Sequence, residues 1–317
     1  MIVAVTWDAP RLGPASREVL GAAVRLGAAL GEEVALASLG ADGSGAAEEA
    51  GGYGAVQAFV VEGDHAASGS EGAIAALAEL ARDVAARVVL LPADDRSAEL
   101  APRLAERLGG SAVTHAVAVD VSDGRPVWTR PVYGGKALAS VAAALEPVVA
   151  TLRRGVFEAA QATGGTAAVS TRTAQNGDGA VELLGSEAPA AGASLEDASV
   201  IVAGGNGIGG SDGFTALEEL AGLLGGAVGA SLAAVDAGWA APDRQVGLTG
   251  KTVSPDVYFA LGISGASQHL AGIGGAKAVV AVNTDPDAPI FSIARIGVVM
   301  DCRTFVASLI DRLQSAP

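Results

Sequence analysis

The feature that most constrains this chain is the alternation, over its first third, of short apolar runs with stretches of helical periodicity. Apolar runs at 2–7, 34–39, 56–61 and 88–91 are each followed by a helical pattern, at 16–30, in a short stretch after 39, at 71–85 and at 98–108. Short apolar runs of this kind suit strands buried on both faces, and an intervening helix carries the chain back to begin a parallel neighbour. The expected fold class is therefore α/β, with a mostly parallel sheet flanked by helices.

After residue 110 the texture changes. Residues 111–121 and 127–130 read as strands around Ser122-Asp-Gly-Arg-Pro126, where the Asp123-Gly124 pair signals a hairpin. Residues 159–194 are rich in Ala, Gly, Ser and Thr and contain Asn176-Gly-Asp-Gly179 and Ala188-Pro-Ala-Ala-Gly192. Such a stretch marks a joint near 185–195 and divides the chain into domains at 1–190 and 191–317, with some strand character before the joint. The second domain begins again as α/β: a strand at 198–203, a glycine turn, and a helix capped by Ser211 or Asp212. Phe214, Leu217, Leu220, Ala221 and Leu224 share one face of that helix, and Gly225 ends it. Further strands are expected at 257–261, 278–282 and 296–300, and a last helix at 305–313.

Composition narrows the function classes. A chain of 317 residues that is 50% hydrophobic can fill two cores. A net charge of −15 repels a phosphate backbone, and no Lys/Arg cluster relieves it, so nucleic acid is not an expected partner. The single cysteine, Cys302, allows no internal disulfide; it reads as a small buried side chain and fits a reducing cytoplasm. Residues 1–7 read as a strand rather than a signal peptide, and no apolar run approaches the roughly 20 residues that span a bilayer. A cytoplasmic protein without membrane insertion is expected. Three scattered histidines and one cysteine give no zinc spacing, so no metal is expected.

The most informative local stretch is Leu261-Gly-Ile-Ser-Gly-Ala-Ser-Gln-His-Leu-Ala-Gly272. It follows the apolar strand Val257-Tyr-Phe-Ala-Leu261, and its glycines let the backbone turn sharply beside a ligand. Ser264 is placed to cap a helix starting there, and a helix start favours a phosphate or a reduced ring. Gln268 and His269 then lie about one turn in, where His269 reads as a ligand contact; His65 and His115 read as structural. Three other patterns compete. Gly205-Asn-Gly-Ile-Gly-Gly210 satisfies the dinucleotide fingerprint, yet no acid follows about 20 residues on to hold a ribose, which disfavours NAD. Gly247-Leu-Thr-Gly-Lys-Thr252 resembles part of a P-loop, but Gln245 stands where the first glycine is needed. It reads better as a loop whose Thr249 hydroxyl donates to a ligand. Asn283 closes a strand, either to bond a ribose or adenine or to form an Asx turn before two prolines. No nucleophile with partners that identify a catalytic triad is evident in the sequence, so no catalytic residue is assigned.

Four ordered segments resemble the alpha subunit of electron transfer flavoproteins: Val228-Gly-Ala-Ser-Leu-Ala-Ala-Val-Asp-Ala-Gly238, Gln245-Val-Gly-Leu-Thr-Gly-Lys251, the histidine stretch, and Val282-Asn-Thr-Asp-Pro-Asp-Ala-Pro-Ile-Phe291. Thr129-Arg-Pro-Val-Tyr-Gly-Gly-Lys-Ala-Leu138 adds support in the first domain. The resemblance implies a C-terminal, Rossmann-like FAD-binding domain and a beta-subunit partner. It implies an electron carrier without substrate turnover of its own, fed by a flavin dehydrogenase such as an acyl-CoA dehydrogenase and emptied by a quinone-linked oxidoreductase. The joint near 185–195 would let the flavin domain reorient between partners.

Carried over residue by residue, Ser231 and Ser264 look like pyrophosphate contacts, assisted by the backbone of Gly265 and Ala266. Thr249, in the loop Val246-Gly247-Leu248-Thr249, looks like the donor to flavin N5. Gln268 and His269 look like contacts along the ribityl chain and pyrimidine edge, with a donor or imidazolium at His269 near flavin O2, and the adjacent Ser267 is counted among the cofactor-binding positions. Asn283, Asp301 and Cys302 match contacts toward the adenosine end, and Asn206 is counted among the cofactor-binding positions. The chain departs from the family's usual pattern at Asn206, Leu232 and Leu248, and two of these changes remove a cation. A noncatalytic adenine-nucleotide-binding assembly subunit that has lost flavin contacts is the alternative, with an NAD-dependent oxidoreductase behind it.

Overall fold

A computed structural model describes residues 1–7, 11–39, 43–63, 69–173 and 195–315. The chain divides into two compact units, Met1–Val132 with Leu138–Ala188, and Pro189–Pro317 with Tyr133–Ala137. The expected joint at 185–195 lies almost wholly outside the described residues, as does His65.

The first unit runs β1 (Ile2–Thr6), α1 (Pro14–Leu30), β2 (Val34–Leu39), α2 (Ser44–Gly51), β3 (Gln57–Glu62), α3 (Gly69–Asp83), β4 (Val88–Pro92), α4 (Asp95–Leu108), β5 (Ser111–Ala116), β6 (Ala118–Ser122), β7 (Arg125–Val132), β8 (Ala137–Ala142), β9 (Val148–Leu152) and β10 (Ala168–Thr173). Seven of these strands form one sheet in the order β10-β3-β2-β1-β4-β9-β5, with every pairing parallel. Strand periodicity sorts the core into two layers. Ile2, Ala4 and Leu36 face α1 and α2. Val3, Val5 and Ala37 face α3 and α4.

Two details depart from the sequence expectation. The strand expected at 111–121 is divided into β5 and β6: within β5, His115 (φ 55°) donates its N–H to Thr151 Oγ1 at 2.8 Å and shifts the register against β9 between Val113 and Ala116, and from Val117, whose N–H donates to Thr129 O at 2.8 Å, the chain pairs with β7 instead. Strands β8 and β9 were not expected; β9 enters the sheet between β4 and β5. The hairpin is as expected: Asp123 (φ 51°) and Gly124 (φ 70°) both take the left-handed conformation that a two-residue primed turn requires, and β6 pairs antiparallel with β7.

The second unit runs β11 (Val200–Gly204), α5 (Ser211–Leu223), β12 (Ala227–Ala230), α6 (Leu232–Asp236), β13 (Val257–Leu261), α7 (Ser267–Ile273), β14 (Ala278–Asn283), β15 (Ile296–Val299) and α8 (Cys302–Gln314). Its five strands are all parallel, in the order β12-β11-β13-β14-β15. Val202, Leu261 and Val282 pack with residues of α5 and α8, whereas Ile201, Tyr258 and Ala260 pack with Ile273 of α7. From β11 the chain goes to β12 on one side and then crosses to β13 on the other. The carboxyl ends of β11 and β13 therefore flank the point where strand order reverses, the place where open parallel sheets accept ligands.

The helix caps correct two expectations. Helix α5 begins at Ser211 with Gly210 as its N-cap and no side-chain cap, because the Asp212 carboxylate is engaged by Arg303 at 2.6 Å. Ser264 does not cap α7, whose N-cap is Ala266. The Ser264 carbonyl instead accepts from Ile290 N at 3.0 Å, and Gly265 (φ 86°) turns the chain once more before the helix starts. Gly225 (φ 63°) does follow the end of α5 as expected. No helix among the described residues is long and apolar enough to cross a membrane.

At the reversal point the backbones touch. A Cβ on Gly205 would lie 2.3 Å from the Gly262 carbonyl oxygen. Gly205→Ala should destabilise the protein by about 2–3 kcal/mol through forced separation of the two turns. Urea denaturation measures this, and a variant within about 0.5 kcal/mol of wild type would contradict the packing described.

Candidate functional site

The carboxyl edge of the second sheet is sewn together by its own backbone. Gly205 N donates to Leu261 O at 2.9 Å and Gly207 N to Gly262 O at 3.0 Å, joining the turns that follow β11 and β13. Ser231 N donates to Gly204 O at 2.9 Å, which brings the end of β12 to the same edge. From β14, Asn283 Nδ2 donates to Ile263 O at 3.0 Å. The Cys302 thiol, at the start of α8, donates to Gly207 O at 3.2 Å.

The loop after residue 244 completes the rim. Val246 N donates to Ala230 O at 2.9 Å, continuing beyond the end of β12, and Leu248 N then donates to Gln268 O at 2.8 Å. The loop thus lies over the first turn of α7. Gly247 and Gly272 make this approach possible, since a Cβ on Gly272 would fall 2.5 Å from Gly247 Cα.

Most of the residues singled out from sequence are brought to this one edge. Asn206, Leu248, Thr249, Ser264, Ala266, Ser267 and Gln268 are exposed along it, and Leu232 is 47% exposed beside it. Val246, Gly247 and Gly265 form its floor. Others are already engaged. The Ser231 hydroxyl caps α6 by accepting from Ala234 N at 3.4 Å. Asp301 caps α8, accepting from Thr304 N at 2.8 Å and Thr304 Oγ1 at 3.0 Å, and these bonds hold its carboxyl below the usual range. Asn283 Oδ1 accepts from Asp285 N at 3.0 Å, which is the Asx turn. Cys302 is buried, and burial pushes its thiol up.

His269 departs from the expectation of an imidazolium. Its ring is 6% exposed, Nε2 shares a 3.1 Å hydrogen bond with the hydroxyl of the fully buried Tyr258, and Nδ1 has no partner of ordinary geometry. Burial lowers its pKa to about 4, against a smaller upward pull from the Val246 carbonyl. The ring is neutral at pH 7, and it is turned inward.

Three residues at this edge escaped the sequence reading as site residues. Gln245, buried under the loop, donates from Nε2 to Thr249 Oγ1 at 2.9 Å. Its spacing of four from Thr249 was the available signal. Tyr258 was read only as a strand residue. Arg303 reaches the glycine turn, its Nη1 lying 3.6 Å from where a Cβ of Gly209 would be, and nothing in the sequence ties it to a turn nearly a hundred residues away. No cluster of three metal-ligating side chains occurs among the described residues.

The donor set suits a polar dinucleotide. Hydroxyls at Thr249, Ser264 and Ser267 and the Gln268 amide are exposed around a glycine floor, and the Thr249 hydroxyl has its proton left over after accepting from Gln245. Comparison with known proteins agrees. Residues 3–176 match the profile described as Electron transfer flavoprotein domain, and residues 194–274 match the Electron transfer flavoprotein FAD-binding domain. The chain is 40% identical over 287 residues to the electron transfer flavoprotein subunit alpha of Syntrophomonas wolfei subsp. wolfei, covering 90% of each. It is 38% identical over 308 residues to that of Paracoccus denitrificans, covering 95% of this chain and 96% of the relative. The chain belongs to the electron transfer flavoprotein alpha-subunit family, its second unit carries that family's FAD-binding domain, and an alpha subunit implies a beta-subunit partner.

The burial of His269 gives a test with a definite sign. Its folded pKa is depressed, so between about 4 and 6.5 the unfolded chain binds the proton that the folded chain refuses. The stability it contributes is complete above pH 6.5 and is lost as pH falls toward 4. Nitrogen-15 NMR of the protein's three histidines should give His269 a midpoint near 4. A midpoint near 6.5 would contradict the burial described.

Proposed function

We propose that this chain is the alpha subunit of a heterodimeric, cytoplasmic electron carrier that holds FAD along the carboxyl edge of β11, β12, β13 and β14. In this reading electrons come from a flavin dehydrogenase, such as an acyl-CoA dehydrogenase, and leave for a quinone-linked oxidoreductase. The observation that carries it is the Thr249 hydroxyl, exposed on a loop over the start of α7 and fixed from below by Gln245.

When bound, FAD supplies a reversible store for electrons. The chain's residues bind and orient it. Thr249 donates to the flavin ring, Gln268 and Ser267 contact the ribityl chain, and Ser264 and the Gly265–Ala266 backbone lie at the pyrophosphate. Asn206 and Asn283 lie toward the adenosine. Asp301 and Cys302 act there by holding α8 and the glycine turn in place, since both side chains are engaged. His269 acts as a neutral ring at the floor of the site.

Several side chains at this edge are uncharged. Leu232 and Leu248 are apolar and exposed, at 47% and 62%, and His269 is neutral, so these three positions put no fixed positive charge beside negative charge that builds up on reduction. Restoring one such charge is worth about 1–3 kcal/mol in a partly desolvated site. Leu232→Arg should therefore raise the flavin reduction potential of the heterodimer, as read by spectroelectrochemistry. An unchanged potential rejects this part of the account.

The same substitutions favour one second reading, a nucleotide-binding assembly subunit without flavin. Co-purification with the beta subunit, loading with excess FAD and gel filtration separate the two. The carrier stays yellow with stoichiometric FAD; a colourless complex overturns the carrier assignment.

A further inference from the structure

We infer that Gln245 is a positioning residue that makes Thr249 a hydrogen-bond donor toward the bound flavin. A threonine hydroxyl in isolation offers one proton and two lone pairs, so it can meet a ligand as donor or acceptor. Here Gln245 Nε2 donates to Thr249 Oγ1 at 2.9 Å. Oγ1 has thereby used a lone pair on the protein side, and its own proton has no acceptor among the described residues. The hydroxyl is left to donate outward, and accepting a hydrogen bond strengthens it as a donor.

The surroundings of Gln245 hold it to this task. The residue is 9% exposed, its backbone pairs beyond the end of β12 opposite Ala230, and its carbonyl accepts from Lys251 N at 2.8 Å. The loop closes directly on its side chain: a Cβ on Gly250 would lie 2.8 Å from Gln245 Cγ and 2.5 Å from Gln245 O. Gly250 therefore lets Thr249 sit within reach of the amide, and the stem of Gln245 has little room to swing away. Arg244 and Lys251, the neighbouring cations, are paired with Glu218 at 2.6 Å and Glu196 at 3.6 Å, which leaves the amide as the group that reaches the hydroxyl.

This inference rests on the reading that Thr249 faces the flavin, and the test separates the two. Gln245→Met keeps the length of the side chain and removes its donor; Thr249→Val removes the hydroxyl. Both variants and their combination are made in the heterodimer. FAD affinity is measured by titration, and the absorption spectrum of the bound flavin is recorded. Thr249→Val and Gln245→Met should each weaken binding roughly 5- to 20-fold, the loss of one hydrogen bond in a partly buried site. Both should displace the flavin absorption band in the same sense, and the double variant should be no worse than Thr249→Val alone. Additive losses, or a Gln245→Met protein with a wild-type spectrum, would overturn the inference while leaving Thr249 at the flavin. A Thr249→Val protein with wild-type affinity and spectrum would overturn both.

Discussion

The structure of the second unit depends on a contact between two turns that have no side chains to separate them. Where strand order reverses, Gly205 and Gly207 lie against Gly262, joined by hydrogen bonds of 2.9 and 3.0 Å from the first turn to the end of β13 and the second turn. Neither turn has room for a Cβ: one on Gly262 would lie 2.7 Å from Gly207 Cα and 3.0 Å from Cys302 Sγ. The closeness of these turns sets the floor of the site. It also fixes α8, because Cys302 donates its thiol to the Gly207 carbonyl.

Built on that floor, the rim is made of groups that point outward because something inside holds them. Leu248 N is tied to α7, Thr249 to Gln245 and Asn283 to the turn after β13. This inner layer of bonds leaves hydroxyls and amides exposed without leaving the loop slack. Such pre-organisation lowers the entropy lost when a ligand is bound. The neutral, inward-turned His269 belongs to the same inner layer, so its role is structural support of the floor as much as contact.

Much of this was legible in the amino-acid sequence, for physical reasons. The parallel sheets followed from apolar runs spaced by helical patterns, and the primed turn from Asp123-Gly124, because only residues tolerant of positive φ suit it. The turn after Leu261 was visible in its glycines, and the four ordered motifs gave the family. What escaped reading was what depends on distance in space. Ser264 does not cap α7 because Gly265 turns the chain again and the helix starts only after Ala266, and Asp212 does not cap α5 because Arg303 engages its carboxylate. The protonation of His269 depended on Tyr258 and on burial, neither of which a motif encodes. Strand β9 and the register shift at His115 likewise depend on pairings between segments far apart in the chain.

In the function proposed, one continuous edge of the second sheet receives the flavin. Hydrogen–deuterium exchange of the heterodimer, with and without FAD, tests it most directly. FAD should slow exchange in peptides covering 205–210, 246–250 and 262–269 together, with little change in the sheet of the first unit. Unchanged exchange in those three segments, with protection in the first unit instead, would contradict the account.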